Sequence, residues 1–62
     1  MGETPILKYF KYDHLPATLQ AISKPFGDLA ASIDASVPDG AEKSAGLRKL
    51  LEAKDCIVRA AL

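Results

Sequence analysis

From Leu15 onward the apolar residues recur at spacings of three and four: Leu15, Leu19, Ile22, Phe26, Leu29 and Ile33. That period is the signature of one face of an α-helix and predicts a first helix over residues 16–34. Pro16 suits its first turn, where a missing N–H costs nothing. A second proline, Pro25, falls in the middle of the stripe, yet the stripe passes through it without losing phase. Two helices joined by a loop would have no reason to keep that register, so the pattern predicts a single helix kinked near Pro25. The proline removes one backbone hydrogen bond and crowds the preceding turn, and Gly27 weakens the helix further. Together they cost roughly a few kcal/mol, and something must offset them.

The stretch 34-DASVPDG-40 breaks the pattern with turn-forming residues. Asp39 or Gly40 is placed to cap the next helix, with Glu42 in the favourable first turn. That second helix, over residues 41–62, shows three faces. Leu47, Leu50, Leu51, Val58, Ala61 and Leu62 share one; Arg48, Glu52, Asp55 and Arg59 share another at ion-pair spacing. The third holds only small or short residues, Gly46, Ala53, Cys56 and Ala60, of which Gly46, Ala53 and Ala60 recur every seven positions. A short connection makes the second helix run back antiparallel. The expected fold is therefore all-α, one antiparallel helical hairpin spanning residues 1–62. A hairpin uses one face of each helix, so the small-residue face predicts self-association; an alanine-rich helix chosen for propensity is the plainer account. Lys54 is the exception, because at about 3.6 residues per turn it falls in the middle of the leucine stripe. A lysine there must snorkel, pair with an acid, or meet an anionic ligand.

Residues 1–13 begin polar and turn aromatic, with Tyr9, Phe10 and Tyr12 close together. Pro5 and the lack of a helical period predict an extended arm. A chain of 62 residues buries little of its surface, so its stability must come from well-packed helices or from association. Cys56, the single cysteine, cannot form an internal disulfide and is expected as a small buried residue in a reducing setting. No apolar run approaches a membrane span and no leader pattern is visible, which predicts a soluble protein.

Eight basic residues balance eight acidic ones, which argues against a general DNA or RNA binder. The layout is uneven, however. Lys8 to Lys24 holds three lysines, His14 and one acid; Asp28 to Glu42 holds four acids and no base; Lys43 to Arg59 holds five bases against Glu52 and Asp55. In a hairpin this makes the open end positive and the turn end negative. Such a pattern suits a small anion held locally, unless the charges are merely solvated helix faces. No nucleophile–histidine set, glycine-rich phosphate loop or metal-ligand cluster is present in the sequence, so no metal or cofactor is expected and binding is the better-supported class.

Three runs, F-x-Y-x-H-L-P at Phe10–Pro16, L-Q-x-x-S-K-P-F at Leu19–Phe26 and L-R-K-L-L-E-A-K-D-x-x-V-R-A-A-L at Leu47–Leu62, together resemble the helical-hairpin domain of phage anti-CBASS sponge proteins. Anti-Thoeris sponges contain a similar hairpin. The resemblance implies a non-enzymatic homo-oligomer, typically a hexamer, acting in the cytoplasm of the infected bacterial host. It implies a cyclic di- or trinucleotide ligand, a bacterial immune messenger that is sequestered and left intact. On this resemblance Tyr12 matches a base-stacking position, Lys24 is the nearest match to a phosphate-binding lysine with Ser23 as its alternative, and Lys54 falls near a basic position of the second helix. Phe10 is a second candidate for stacking and His14 for an edge contact. The chain departs from longer members in its shorter second helix and in Pro25.

Helical geometry adds that Lys24 points away from the leucine stripe. Across the hairpin it comes level with Lys54, though on a different face, so only an oligomer would bring both to one ligand. The kink at Pro25 would re-aim Ser23 and Lys24 towards a neighbouring subunit. The rival expectation is a small helical structural or protein-interaction module that self-associates, in which the aromatic arm merely covers a helix end.

Overall fold

A computed structural model describes residues 5–62. A 3₁₀ helix, Pro5–Phe10, is followed by α1, Ala17–Ser36, and α2, Ala41–Ala60. Among the described residues the architecture is all-helical, with the two long helices packed against each other. Each has 20 residues, about 30 Å of helix, whereas the molecule measures 34 × 19 × 15 Å. The helices must therefore lie side by side, α2 returning along α1.

Lys43 closes the turn. Its ammonium lies 3.1 Å from the Asp34 carboxylate and 2.8 Å from that of Asp39, and it donates to the Asp34 carbonyl at 3.0 Å. One side chain from the first turn of α2 thus ties down the end of α1 and the loop. Gly40 occupies the cap position of α2 in an extended conformation, without a side-chain cap bond; Asp39 serves Lys43 instead. Glu42 sits in the first turn as expected. The first helix runs two residues past Asp34, to Ser36, whose hydroxyl donates to the Ser32 carbonyl at 2.7 Å.

The helix continues through Pro25, so the unbroken register of the stripe is matched by one element. Which face is buried differs from expectation. Phe26 and Ile33 do pack on the core, but Leu29 is 49% exposed, while Ser23 and Ala30 are fully buried. The deepest face of α1 is the row Ser23, Gly27, Ala30, roughly one residue around from the large apolar stripe. Gly27 and Ala30 are small, and Phe10 of the N-terminal segment packs there.

That segment is not an extended arm. Residues 1–4 of the expected 1–13 arm lie outside the described residues; Pro5–Phe10 forms the 3₁₀ helix, and Phe10 at its end is 3% exposed. Phe10, Ala30 and Leu47, one residue from each element, form the buried centre, with Ile6, Leu7, Phe26, Ile33, Leu50 and Leu51 against it. The aromatic segment was invisible as a helix because six residues at three per turn show no 3.6-residue repeat. Cys56 is exposed, not buried, and accepts from the Arg59 guanidinium at 3.4 Å. The rest of its row, Gly46, Ala53 and Ala60, is exposed with it.

Candidate functional site

Tyr12 opens a tight turn in which the Leu15 N–H donates to the Tyr12 carbonyl at 3.0 Å. Gln20, from the first turn of α1, reaches back to donate to the Leu15 carbonyl at 2.7 Å and the Asp13 carbonyl at 3.4 Å. The turn therefore holds its shape against α1, and Tyr12 is half-buried on that helix.

Its seat is Gly27. A Cβ at that position would stand 3.0 Å from the Phe10 carbonyl oxygen and 3.5–3.6 Å from the edge of the Tyr12 ring. Phe10 and Tyr12 thus straddle the one residue of the row that has no side chain. Ser23 lies one turn earlier, fully buried, and its hydroxyl has no hydrogen-bond partner. The intervening Pro25 withdraws the N–H that would otherwise bond the Ala21 carbonyl. Three departures from regular helix chemistry fall within five residues, 23–27, of which Gly27 lies against Tyr12.

Lys24 is on the outer flank of this patch, its side chain 56% exposed, and pairs with Asp28 at 2.7 Å. Its pKa is raised above the ordinary 10.5, first by the hydrogen bond it donates to Asp28, then by that carboxylate's charge, then by the Tyr12 phenol. Lys24 stands one turn before Gly27 on the same side of α1, and the edge of the Tyr12 ring lies against Gly27. An aromatic face and a cation side by side are what a base bearing a phosphate would need.

The other expected site residues are distributed differently. Phe10 is part of the core, so its ring is not offered for stacking; the 3₁₀ helix turns it inward. Ser23 is one turn before Gly27 on α1 but fully buried, so it is not open to a ligand. His14 is exposed in the turn. Lys54, 12% exposed along its side chain, meets none of these groups. It donates to the Tyr9 carbonyl at 2.9 Å and lies 3.1 Å from Asp55. The stem lies on the leucine face and the charge is paired, as its position in the stripe demanded.

Sequence reasoning missed Asp28 as the partner of Lys24, although spacing of four on a helix was the signal. It also read Gly27 only as a weak point. Tyr9, 56% exposed with the Lys8 ammonium 5.2 Å from its ring centre, is a second aromatic–cation pair nearby. A concavity of about 200 Å³ lies elsewhere, between the start of the 3₁₀ helix and α2, lined by Pro5, Ile6, Ser44 and Arg48. Neither Tyr12, half-buried, nor Lys24, exposed, lines that concavity.

Among the described residues, no group of three or more His, Cys, Asp or Glu side chains is arranged to hold a metal ion. No helix among them is long and apolar enough to cross a membrane. No family model matches the chain, and no curated protein or solved structure matches it.

Proposed function

We propose that this protein is a non-enzymatic sponge of the phage anti-CBASS type. It binds cyclic di- or trinucleotide immune messengers as a homo-oligomer in the cytoplasm of the infected host and keeps them from their effectors. What supports the reading is the Tyr12 ring lying against Gly27, with exposed Lys24 one turn away on the same side of α1. Tyr12 stacks on a base and Lys24 meets a phosphate. A second subunit completes the site. Exposed Leu29 and Ile57 and the exposed row of Gly46, Ala53, Cys56 and Ala60 provide apolar and close-packing surface for that assembly.

Calorimetric titration with cyclic di-AMP, cyclic di-GMP and cyclic tri-AMP tests it. Tyr12→Ala and Lys24→Ala are each expected to weaken binding about tenfold or more, the loss of one stacking or charge-assisted contact. Lys24→Ala also flattens the salt dependence. Denaturing the saturated complex returns the ring intact; linear product growing with time and protein would make the protein an enzyme. If the parent binds no cyclic nucleotide but sediments as an oligomer, the exposed apolar surface favours the second reading, a self-associating interaction module.

A further inference from the structure

The Tyr12 site stands on a segment that is itself fastened from a distance. The 3₁₀ helix ends at Phe10, and the last carbonyls of any helix lack intrahelical donors. One of them, the Tyr9 carbonyl, receives the Lys54 ammonium across 45 residues of chain at 2.9 Å. Lys54 belongs to α2, projects from the apolar stripe, and is 12% exposed along its side chain. On the other side of the same short segment, the Phe10 carbonyl and the Tyr12 ring lie against Gly27 of α1. The segment Tyr9–Tyr12 is thus clamped between α2, through a charged hydrogen bond, and α1, through a missing side chain.

We infer that Lys54 and Gly27 are positioning residues for the Tyr12 site, setting the height and tilt of its ring without contacting the ligand. This rests on the sponge reading for the identity of the ligand but not for the mechanics of the segment. It also gives Lys54 a role different from a direct ligand contact. Its ammonium is already committed to the Tyr9 carbonyl and to Asp55, on the α2 side of the segment, whereas Lys24 and the Tyr12 ring lie on the α1 side. Removing the donor while keeping the aliphatic stem hands the Tyr9 carbonyl to water, cuts its tie to α2 and frees the segment to move off α1. A methyl at residue 27 would stand 3.0 Å from the Phe10 carbonyl oxygen, tighter than an ordinary contact, so the backbone of the segment must give by a few tenths of an ångström. The two perturbations come from opposite sides and act on one ring.

The experiment uses the full chain and four variants: Lys54→Met, Lys54→Arg, Gly27→Ala and Tyr12→Ala, with Lys54→Met/Tyr12→Ala as the double variant. Nuclear magnetic resonance reads the contact between the Tyr12 ring and the Gly27 α-hydrogen in the Lys54 series, and the Tyr12 ring shifts in all variants that keep the ring. Circular dichroism verifies that the two long helices persist. Titration uses cyclic di-AMP, cyclic di-GMP and cyclic tri-AMP. In Lys54→Met the ring contact is expected to be lost and affinity to fall about tenfold, equivalent to about 1.4 kcal/mol; Lys54→Arg, which keeps a donor, restores both. Gly27→Ala moves the ring shifts and weakens binding although alanine is the better helix former. The double variant binds no worse than Tyr12→Ala alone, because Lys54 acts through that ring. Retention of the ring contact in Lys54→Met overturns the inference, and so do losses that add in the double variant, which would put Lys54 on the ligand. If the parent binds none of the three probes, the sponge reading fails by itself, and the ring contact still decides whether Lys54 sets Tyr12.

Discussion

Ser23 offers a test in which a single atom is removed. Its side chain is fully buried in the middle of α1 and its hydroxyl has no hydrogen-bond partner. Burying a hydroxyl without a partner costs roughly 1–3 kcal/mol. Alanine at the same position drops that cost and adds up to about 0.5 kcal/mol of helix propensity. Against this stands the gap left by one oxygen, a few tenths of a kcal/mol at about 24 cal/mol per Å³. The gains win, so Ser23→Ala is expected to stabilise the protein by about 1–2 kcal/mol. In a domain of this size 1 kcal/mol moves the melting temperature by roughly 4–8 °C, which makes the shift easy to see. Thermal melts must be compared at one protein concentration, since association would itself raise Tm. Ser32→Ala, at an exposed position of the same helix, carries the propensity gain alone, and the difference between the two variants isolates the burial effect. A Ser23→Ala protein that melts below its parent would refute the reasoning, because it would mean that the hydroxyl is bonded in solution.

The charges give two further expected outcomes. Asp28→Asn removes the carboxylate that holds Lys24 at 2.7 Å and that would repel a phosphate, so calorimetry should show cyclic dinucleotide binding several-fold tighter, with Lys24→Ala cancelling the gain. Lys43 has its pKa raised above 10.5, chiefly by the hydrogen bond it donates to Asp39, with Asp34 adding to it against the opposing effect of burial. A raised lysine stabilises the fold fully below its ordinary pKa and ceases to do so as pH climbs through the higher folded value. Melts of the parent should therefore fall in alkaline solution above pH 10.5, Lys24 adding to the trend, while Lys43→Met starts lower at neutral pH and converges on the parent there.

The long helices were legible because their evidence is repetitive. Spacings of three and four over some twenty residues, closed by 34-DASVPDG-40, leave few other structures, and the unbroken phase across Pro25 pointed to one element. Lys54 was legible as a problem, a charge in an apolar stripe, though its partner was not, since nothing in a local pattern singles out the Tyr9 carbonyl. The 3₁₀ helix was missed because it is too short to show a period. The orientation of α1 was missed for a related reason: a stripe drawn through large apolar residues assumes that size decides burial. Here the N-terminal segment packs on Gly27 and Ala30, which are small, and Leu29 is turned towards solvent. Residue type places Cys56 in the interior, but the helix face it shares with Gly46, Ala53 and Ala60 is exposed.

The helix-weakening residues of α1 acquire a common rationale from the docked segment. Gly27 costs about 1 kcal/mol relative to alanine in a helix interior. Burying a phenylalanine side chain returns about 1.5–3 kcal/mol, and Phe10 reaches 3% exposure with its carbonyl where a Cβ at residue 27 would intrude. Glycine is therefore the favourable choice there once the segment is docked, and unfavourable only in an isolated helix. Pro25 has no such direct return. It faces solvent, and its effect is to leave the Ala21 carbonyl without a helical donor one turn before the site. Ser23, buried and unbonded, likewise lowers stability without a packing gain that alanine would not supply. Packing thus accounts for Gly27 and leaves Pro25 and Ser23 as costs, both flanking Lys24. Unrepaid costs of this kind concentrate where a chain is shaped for something other than stability, and that is the physical reason to look for the ligand on the Tyr12–Lys24 flank before any other part of the surface.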